Sequence, residues 1–271
     1  MPDEAFDVVN RGFSRQAFHY DSADQANVIL QDLRRQVYTH VERFLKPGSR
    51  ILEINAGTGI DALYFASKGH HVHATDLSDG MIAQIKRKAA FPEAQGRFTY
   101  QQLSFEALDQ TTETGFDYVF SNFGGLNCTD DLRKVTRHLP PLLKNDARLT
   151  WVIMPPICPV ELLGIFKGRW KDAFRRLHPD GAIAHVEGEY FKTYYYSVSD
   201  VRKALGKNFH LLKAEGLAAL SPQPHSHALP QKHPQFYKGL RKIDSVVRTI
   251  YPFNRWADHI IVTFQFSTDK S

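Results

Sequence analysis

The sequence predicts an α/β fold built on a mostly parallel sheet covered on both faces. Three observations carry that prediction. Short apolar runs alternate with helical patterns from about residue 50 to residue 154, a spacing that leaves room for parallel strands joined by crossover helices. A glycine-bearing turn separates the first of these runs from the first helix. The chain of 271 residues, 42% hydrophobic and 12% aromatic, is long and apolar enough to fill a substantial core.

The elements follow in order. Residues 1–48 read as a helical, polar-to-amphipathic lid, with Ile29, Leu33, Val37, Val41 and Leu45 at helical intervals before the Pro47-Gly48 turn. Arg50–Asn55 is a strand, Ala62–Lys68 a helix stopped by Gly69, and His71–Thr75 a second strand ending at Asp76. Ser78 is the expected N-cap of a helix through Ala90. Arg97–Gln102 and Asp117–Asn122 give the third and fourth strands. Leu132–Leu143 is helical, divided by Pro140 and Pro141, and Arg148–Met154 is the fifth strand, stopped by Pro155-Pro156.

The pattern then changes. Val160–Leu177 reads as one amphipathic helix burying the stripe Leu163, Phe166, Trp170, Phe174 and Leu177. Tyr190–Ser197 reads as a strand, Ser199–Leu205 as a helix and Phe209–Leu220 as the sixth strand. A loop at Ser221–Pro234 precedes a helix expected to bury Phe236, Leu240, Ile243, Val247 and Ile250, and His259–Phe266 closes the chain. No internal repeat appears, so the expected organisation is one domain over 1–271. Its parts are a lid (1–48), a cofactor-binding core (49–154), a substrate cap with later core elements (155–256) and the last strand (257–271).

Composition removes several classes. Lys plus Arg number 34 against 29 Asp plus Glu, a formal charge of +5, which is small for a nucleic-acid binder without a basic–aromatic groove. No apolar run reaches the ~18 residues of a membrane span, and the acidic start Met1-Pro2-Asp3-Glu4 is unlike a signal peptide. Two cysteines, Cys128 and Cys158, fit no disulfide framework and no metal spacing, which suits a reducing cytoplasm; no metal is expected.

The chemistry sits in Glu53-Ile54-Asn55-Ala56-Gly57-Thr58-Gly59. Between a strand and a helix, the amides of this turn face whatever fills the crevice, and a side chain at Gly57 or Gly59 is expected to intrude on that ligand. Asp76 follows Gly57 by 19 residues at the end of the second strand, where an acid accepts hydrogen bonds from both ribose hydroxyls. Together they point to a nucleoside-type ligand. Gly57, Gly59 and Ala62 also satisfy the loose dinucleotide fingerprint, which leaves an NAD-dependent oxidoreductase open on motif grounds alone.

EINAGTG, then HATD, then FDYVFSNFGGLN resemble the class I S-adenosylmethionine-dependent methyltransferases, over about Ile51–Met154 and more weakly through the lid segment Phe13–Asp21. The resemblance implies a Rossmann-like seven-stranded sheet with an antiparallel last strand, S-adenosyl-L-methionine as cofactor and S-adenosyl-L-homocysteine as product. It also implies site roles: Glu53 near the cofactor's amino group, Asn55, Ala56 and Gly57 beside its methionine part, Asp76 on the ribose, Leu77 and Ser104-Phe105 flanking adenine, and Ser121-Asn122 near the sulfonium. Tyr20 would close over it. The chain departs from the pattern in having Asn55 where Gly is commonest and Ser104 where many members carry an acid.

An Asn/Asp-Pro-Pro-aromatic motif, used on base and amide acceptors, is missing after the fourth strand, which argues against such acceptors; the cap's apolar content favours a small, mostly apolar acceptor attacked through oxygen, or secondarily carbon or nitrogen, by in-line displacement. Phe166, Trp170, Phe174, Tyr190 and Phe191 would line its pocket. For a catalytic base the candidates are His185, of one parity with Glu187 and Glu189, and Tyr194 or Tyr195. The rival readings are the oxidoreductase, disfavoured by the missing Tyr-x-x-x-Lys pair, and a non-catalytic adenosine-cofactor-binding protein. The basic stretch Lys232–Arg255 is read as the solvated side of a docked helix, with contact to a lipid head group, an anionic substrate or an acidic carrier as its functional version.

Overall fold

A computed structural model describes residues 4–168 and 170–268. Nine strands form: β1 (Arg50–Ile54), β2 (His71–Asp76), β3 (Phe98–Gln102), β4 (Phe116–Ser121), β5 (Leu143–Ile153), β6 (Ala182–Val186), β7 (Glu189–Thr193), β8 (Phe209–Leu217) and β9 (His259–Phe266). Seven make one sheet in the order β3-β2-β1-β4-β5-β9-β8. β9 is antiparallel to both neighbours and the remaining pairs are parallel, as expected from the sequence. The order reverses at β1, whose neighbours are β2 and β4, and the crevice outside the carboxyl ends of β1 and β4 is where such a sheet binds ligands.

Alternation along the strands divides the core between two faces. Ile51, Val72, Tyr118, Phe120 and Val152 point one way with Phe65 and Ile85, whereas Leu52, Ile54, Val119, Leu149, Trp151 and Ile153 point the other way. Each central strand is buried on both sides.

The lid is two helices, α1 (Glu4–Ala26) and α2 (Val28–Glu42). Asn27 separates them: its side chain accepts the amides of Ile29 (3.1 Å) and Leu30 (3.2 Å) as the N-cap of α2, and its Nδ2 donates to the carbonyl of Pro224 (2.9 Å). Then come α3 (Ile60–Ser67), α4 (Asp79–Ala89), the single turn α5 (Arg133–Thr136), α6 (Pro159–Leu162), α7 (Trp170–Phe174), α8 (Val198–Leu205), α9 (Leu229–Lys232) and α10 (Pro234–Val247). Ser78 does stand at the N-cap of α4, but its hydroxyl bonds Ser14 of α1 (2.9 Å) instead of capping.

The cap departs most from expectation. Residues 159–177 form not one helix but α6, a 3-10 stretch, α7 and a second 3-10 turn, and the stripe from Leu163 to Leu177 faces outward. The strand expected over 190–197 ends at Thr193 and pairs with β6 in a separate hairpin, turned by Glu187 (φ 48°) and Gly188 (φ 85°). That hairpin holds α1: Glu189 pairs with Arg11 (3.1 Å) and Arg15 (3.2 Å), and Glu187 with His19 (3.1 Å). The helix expected over 132–143 shrinks to α5, because Pro140 and Pro141 force a 3-10 turn just before β5.

Candidate active site

The first strand ends in a turn whose backbone is left-handed three times, at Asn55 (φ 49°), Gly57 (φ 58°) and Gly59 (φ 79°). The two glycines serve different ends. A Cβ on Gly57 would meet nothing within 4 Å and would stand in a cavity, so this position keeps space for a ligand. A Cβ on Gly59 would strike Phe98 (3.0 Å) and Ile85 (3.1 Å), so Gly59 permits helix–sheet packing and does not border the cavity, contrary to expectation.

Asp76 is fixed opposite the turn. Its Oδ2 accepts the Gly57 amide (2.8 Å) and its Oδ1 the Ser78 amide (2.9 Å), and the carboxylate borders the cavity. Burial pushes its carboxyl up to about 6 while those amides pull it down.

Around the methionine end of the expected cofactor the groups are acidic and incompletely paired. Glu53 is fully buried, its Oε2 has no partner, and burial together with Asp61 and Asp76 raises it well above the ordinary carboxylate range. Asn55 accepts the Ser121 hydroxyl through Oδ1 (3.0 Å), while its buried Nδ2 has no partner. The closest cation is Arg34 of α2, bonded to Asp24 (2.7 Å) and to Asp61, with its guanidinium 4.9 Å from the Phe123 ring centre. Asp61 also accepts Tyr38 (2.6 Å) and Asn122 (2.9 Å).

The cavity encloses about 240 Å³ under α1. Tyr20, Asn55, Ala56, Gly57, Asp76, Leu77, Phe105 and Asn122 line it. Glu53, Gly59, Ser104 and Ser121 do not. Ser104 accepts the Glu106 amide (3.2 Å) as a cap, and its neighbours Leu103 and Phe105 take the wall instead. Ser121 lies buried behind Asn55. Sequence reading missed Arg34 and Asp61, whose positions follow from helix packing, and Phe6, Val9 and Met154.

The expected bases are placed elsewhere. His185 is exposed, stacks on Tyr190 and accepts the Gly188 amide (3.1 Å), because the hairpin turns its partner Ala184 inward. Tyr195 lies beneath Arg176. Tyr194 lines a second cavity of about 320 Å³ that adjoins the first through Phe6, Val9, Cys128 and Phe191. Of the cap aromatics, Phe191 alone lines the first cavity; Phe166, Trp170 and Phe174 face outward, and Tyr190 borders the second.

One imidazole does approach this wall. The Nδ1 of His259 faces Asp258 Oδ2 (3.0 Å), its ring meets Phe123 edge to face at 6.0 Å, and its Nε2 would lie 3.5 Å from a Cβ on Gly124. Phe123, Gly124 and Met154 are cavity residues. Asp258 is held ionised, well below the usual range, by His259, Arg176 (2.8 Å) and Gln223. Cys158, Glu161 and Asp258 approach one another closely enough to hold a metal ion, but Arg176 bonds both Glu161 (2.6 Å) and Asp258 and supplies the cation there.

Comparison with known proteins agrees with this geometry. Residues 51–146 match the model of a methyltransferase domain family. The demethylmenaquinone methyltransferase of Corynebacterium efficiens is 28% identical over 186 residues, 67% of this chain and 74% of the relative. That of Corynebacterium glutamicum is 27% identical over 204 residues, 74% and 80% of the two chains. The fold is shared with 1,6-didemethyltoxoflavin-N1-methyltransferase of Burkholderia thailandensis, solved with S-adenosylhomocysteine (TM-score 0.57, 14% identity, 98% of this chain and 91% of that one). It is shared also with phosphoethanolamine N-methyltransferase 2 of Haemonchus contortus, solved with S-adenosyl-L-methionine (TM-score 0.53, 19% identity, 87% and 53%). The cavity fits that cofactor: an unpaired buried carboxylate at Glu53 suits its ammonium, and the open cradle at Gly57 suits its body. Residues 51–146 thus carry a methyltransferase domain, and the chain has the fold of the class I S-adenosylmethionine-dependent methyltransferases.

Proposed function

We propose that this enzyme methylates a small, mostly apolar acceptor at a hydroxyl oxygen, and that Glu53, Asn55, Gly57, Asp76, Leu77 and Phe105 hold the cofactor. The observation that carries the reading is the division of the cavity: the acids Asp61 and Asp76 near the glycine turn, and apolar side chains from Phe123, Met154, Ala184 and Phe191 on the side toward the hairpin. The surplus of Asp61 and Asp76 over Arg34 on this wall favours a ligand bearing positive charge and disfavours the pyrophosphate of a dinucleotide. The curated relatives are named for a quinone, a class that fits such walls.

When bound, the cofactor supplies a methyl group on a positively charged sulfur. Asp76 would accept from its ribose hydroxyls and Glu53 would balance its ammonium, while α1 over the cavity would keep water from the acceptor. Asp258 orients the His259 ring so that Nε2 takes the proton of an attacking hydroxyl.

Calorimetry of the purified chain with S-adenosylhomocysteine and with NADH tests the cofactor half. Binding of the first alone, lost in Asp76→Ala, is expected; binding of NADH would overturn it. Labelled methyl transfer to a short-chain naphthohydroquinone, set against RNA and protein acceptors, tests the other half. Transfer only to macromolecules would refute the small-molecule assignment.

A further inference from the structure

α10 was expected to bury its apolar stripe, and three of the five members, Phe236, Ile243 and Ile250, are exposed instead. Its inner face is polar: the Tyr237 hydroxyl donates to Asp32 (2.8 Å), and Asp244 accepts the amides of Leu220 (2.8 Å) and Ser221 (3.0 Å). Arg241 pairs with Asp32 (2.8 Å) and Arg248 with Glu215. On the outer face Phe236, Ile243 and Val246 stand at helical spacing, and Ile250 and Tyr251 follow the helix; the first four are 48–62% exposed. Lys232, Lys238, Lys242 and Arg255 are exposed around them, and none of the four forms an ion pair among the described residues. Asp244 is the single acid between Lys232 and Arg255, and it is buried. The cap carries an exposed apolar stripe of its own, which includes Phe166 (87% exposed) and Trp170. Arg176 links that segment to Asp258, two residues after the exposed Trp256.

We propose that this face docks on an anionic lipid bilayer, with the apolar side chains in the acyl boundary and the four free cations among the head groups. An exposed apolar stripe flanked by uncompensated lysines is the pattern of a helix lying in a membrane interface. No helix among the described residues is long and apolar enough to cross a membrane, so the contact is peripheral. A second copy is a poor occupant, because a two-fold pairing of this face would set Lys238 and Lys242 against their own duplicates. Docking would bring the cap to where apolar acceptors partition, but it stands apart from the assignment of the reaction, since vesicle binding needs no methyl acceptor.

The test is flotation of the full chain with phosphatidylcholine vesicles, with and without phosphatidylglycerol. Binding to the anionic vesicles alone, weakening with added salt, is expected. Lys238→Gln/Lys242→Gln should lower partitioning about 25-fold, about fivefold per charge. Ile243→Ser/Val246→Ser should lower it at least about tenfold. S-adenosylhomocysteine affinity and circular dichroism should be unchanged in both variants; should either misfold, the lipid and salt dependence of the unaltered chain still decides. Absence of flotation, equal flotation with neutral vesicles, or a dimer by light scattering that Ile243→Ser/Val246→Ser abolishes in place of vesicle binding would each overturn the proposal.

Discussion

The stretch from Ile51 to Met154 and the stretch from Pro155 to Arg255 obey different rules. In the first, strands buried on both faces leave little freedom: residues at the carboxyl ends of β1, β2 and β4 meet in one crevice once the alternation is fixed. In the second, amphipathic stripes do not say which face is turned inward. Val160–Leu177 and α10 both carry helical apolar spacing, yet both leave apolar stripes exposed while ion pairs such as Arg176–Asp258 and Arg248–Glu215 hold the inner side. Apolar periodicity fixes the axis of a helix, and the partner surface decides its rotation.

Five experiments break or sharpen that contrast. The largest effect is expected at Arg34, between the lid and the crevice. Arg34→Met leaves Asp24 and Asp61 buried without their cation and should cost about 3–5 kcal/mol in denaturant unfolding. A loss below about 1 kcal/mol would show that those acids protonate or find water. Gly57→Val comes next: a branched side chain in the cradle at positive φ should reduce S-adenosylhomocysteine affinity by more than about 100-fold, whereas Gly59→Ala should mainly lower the melting temperature. The reverse pattern would exchange the roles assigned to the two glycines.

His259→Ala should lower kcat by about 100-fold with cofactor affinity unchanged. An unaltered kcat would take the proton away from this imidazole. Asp76 has its carboxyl raised to about 6, so protons compete with ribose for it: S-adenosylhomocysteine affinity should fall as pH drops through about 6, up to tenfold per unit, and stay flat in Asp76→Asn. Phe166→Ser/Trp170→Ser should leave turnover of a water-soluble acceptor within about twofold, because neither side chain borders the cavity. A rise in KM there would return the cap stripe to the acceptor pocket.

Much of the site was legible because its logic is local. The positive φ at Asn55 and Gly57, and the placement of Asp76 one strand away, are written in a strand, a turn and a spacing. Glu53, Ser104 and Ser121 were in the right neighbourhood with side chains off the cavity wall, and Gly59 faces Phe98 and Ile85, since a one-residue step along a strand or turn reverses direction. Arg34 and Asp61 escaped because two helices must pack before they meet. His259 escaped because it reads as the first residue of an apolar strand, and only the pairing of β9 beside β5 brings it to Gly124. His185 misled through parity: the hairpin turns Ala184, not its neighbour, to the cavity.

The first helix is fastened at both ends of the crevice. Arg11 and Arg15 grip the hairpin, Asn10 and Ser14 bond the start of α4 at Asp79 (3.0 Å) and Gly80 (2.9 Å), and Asp21 reaches Thr58 and Lys88. To uncover the crevice by swinging this helix, several polar fastenings would have to release together, with Asn27 as the one-residue joint between it and α2. Raised ionic strength, by loosening the exposed pairs, would make that release easier.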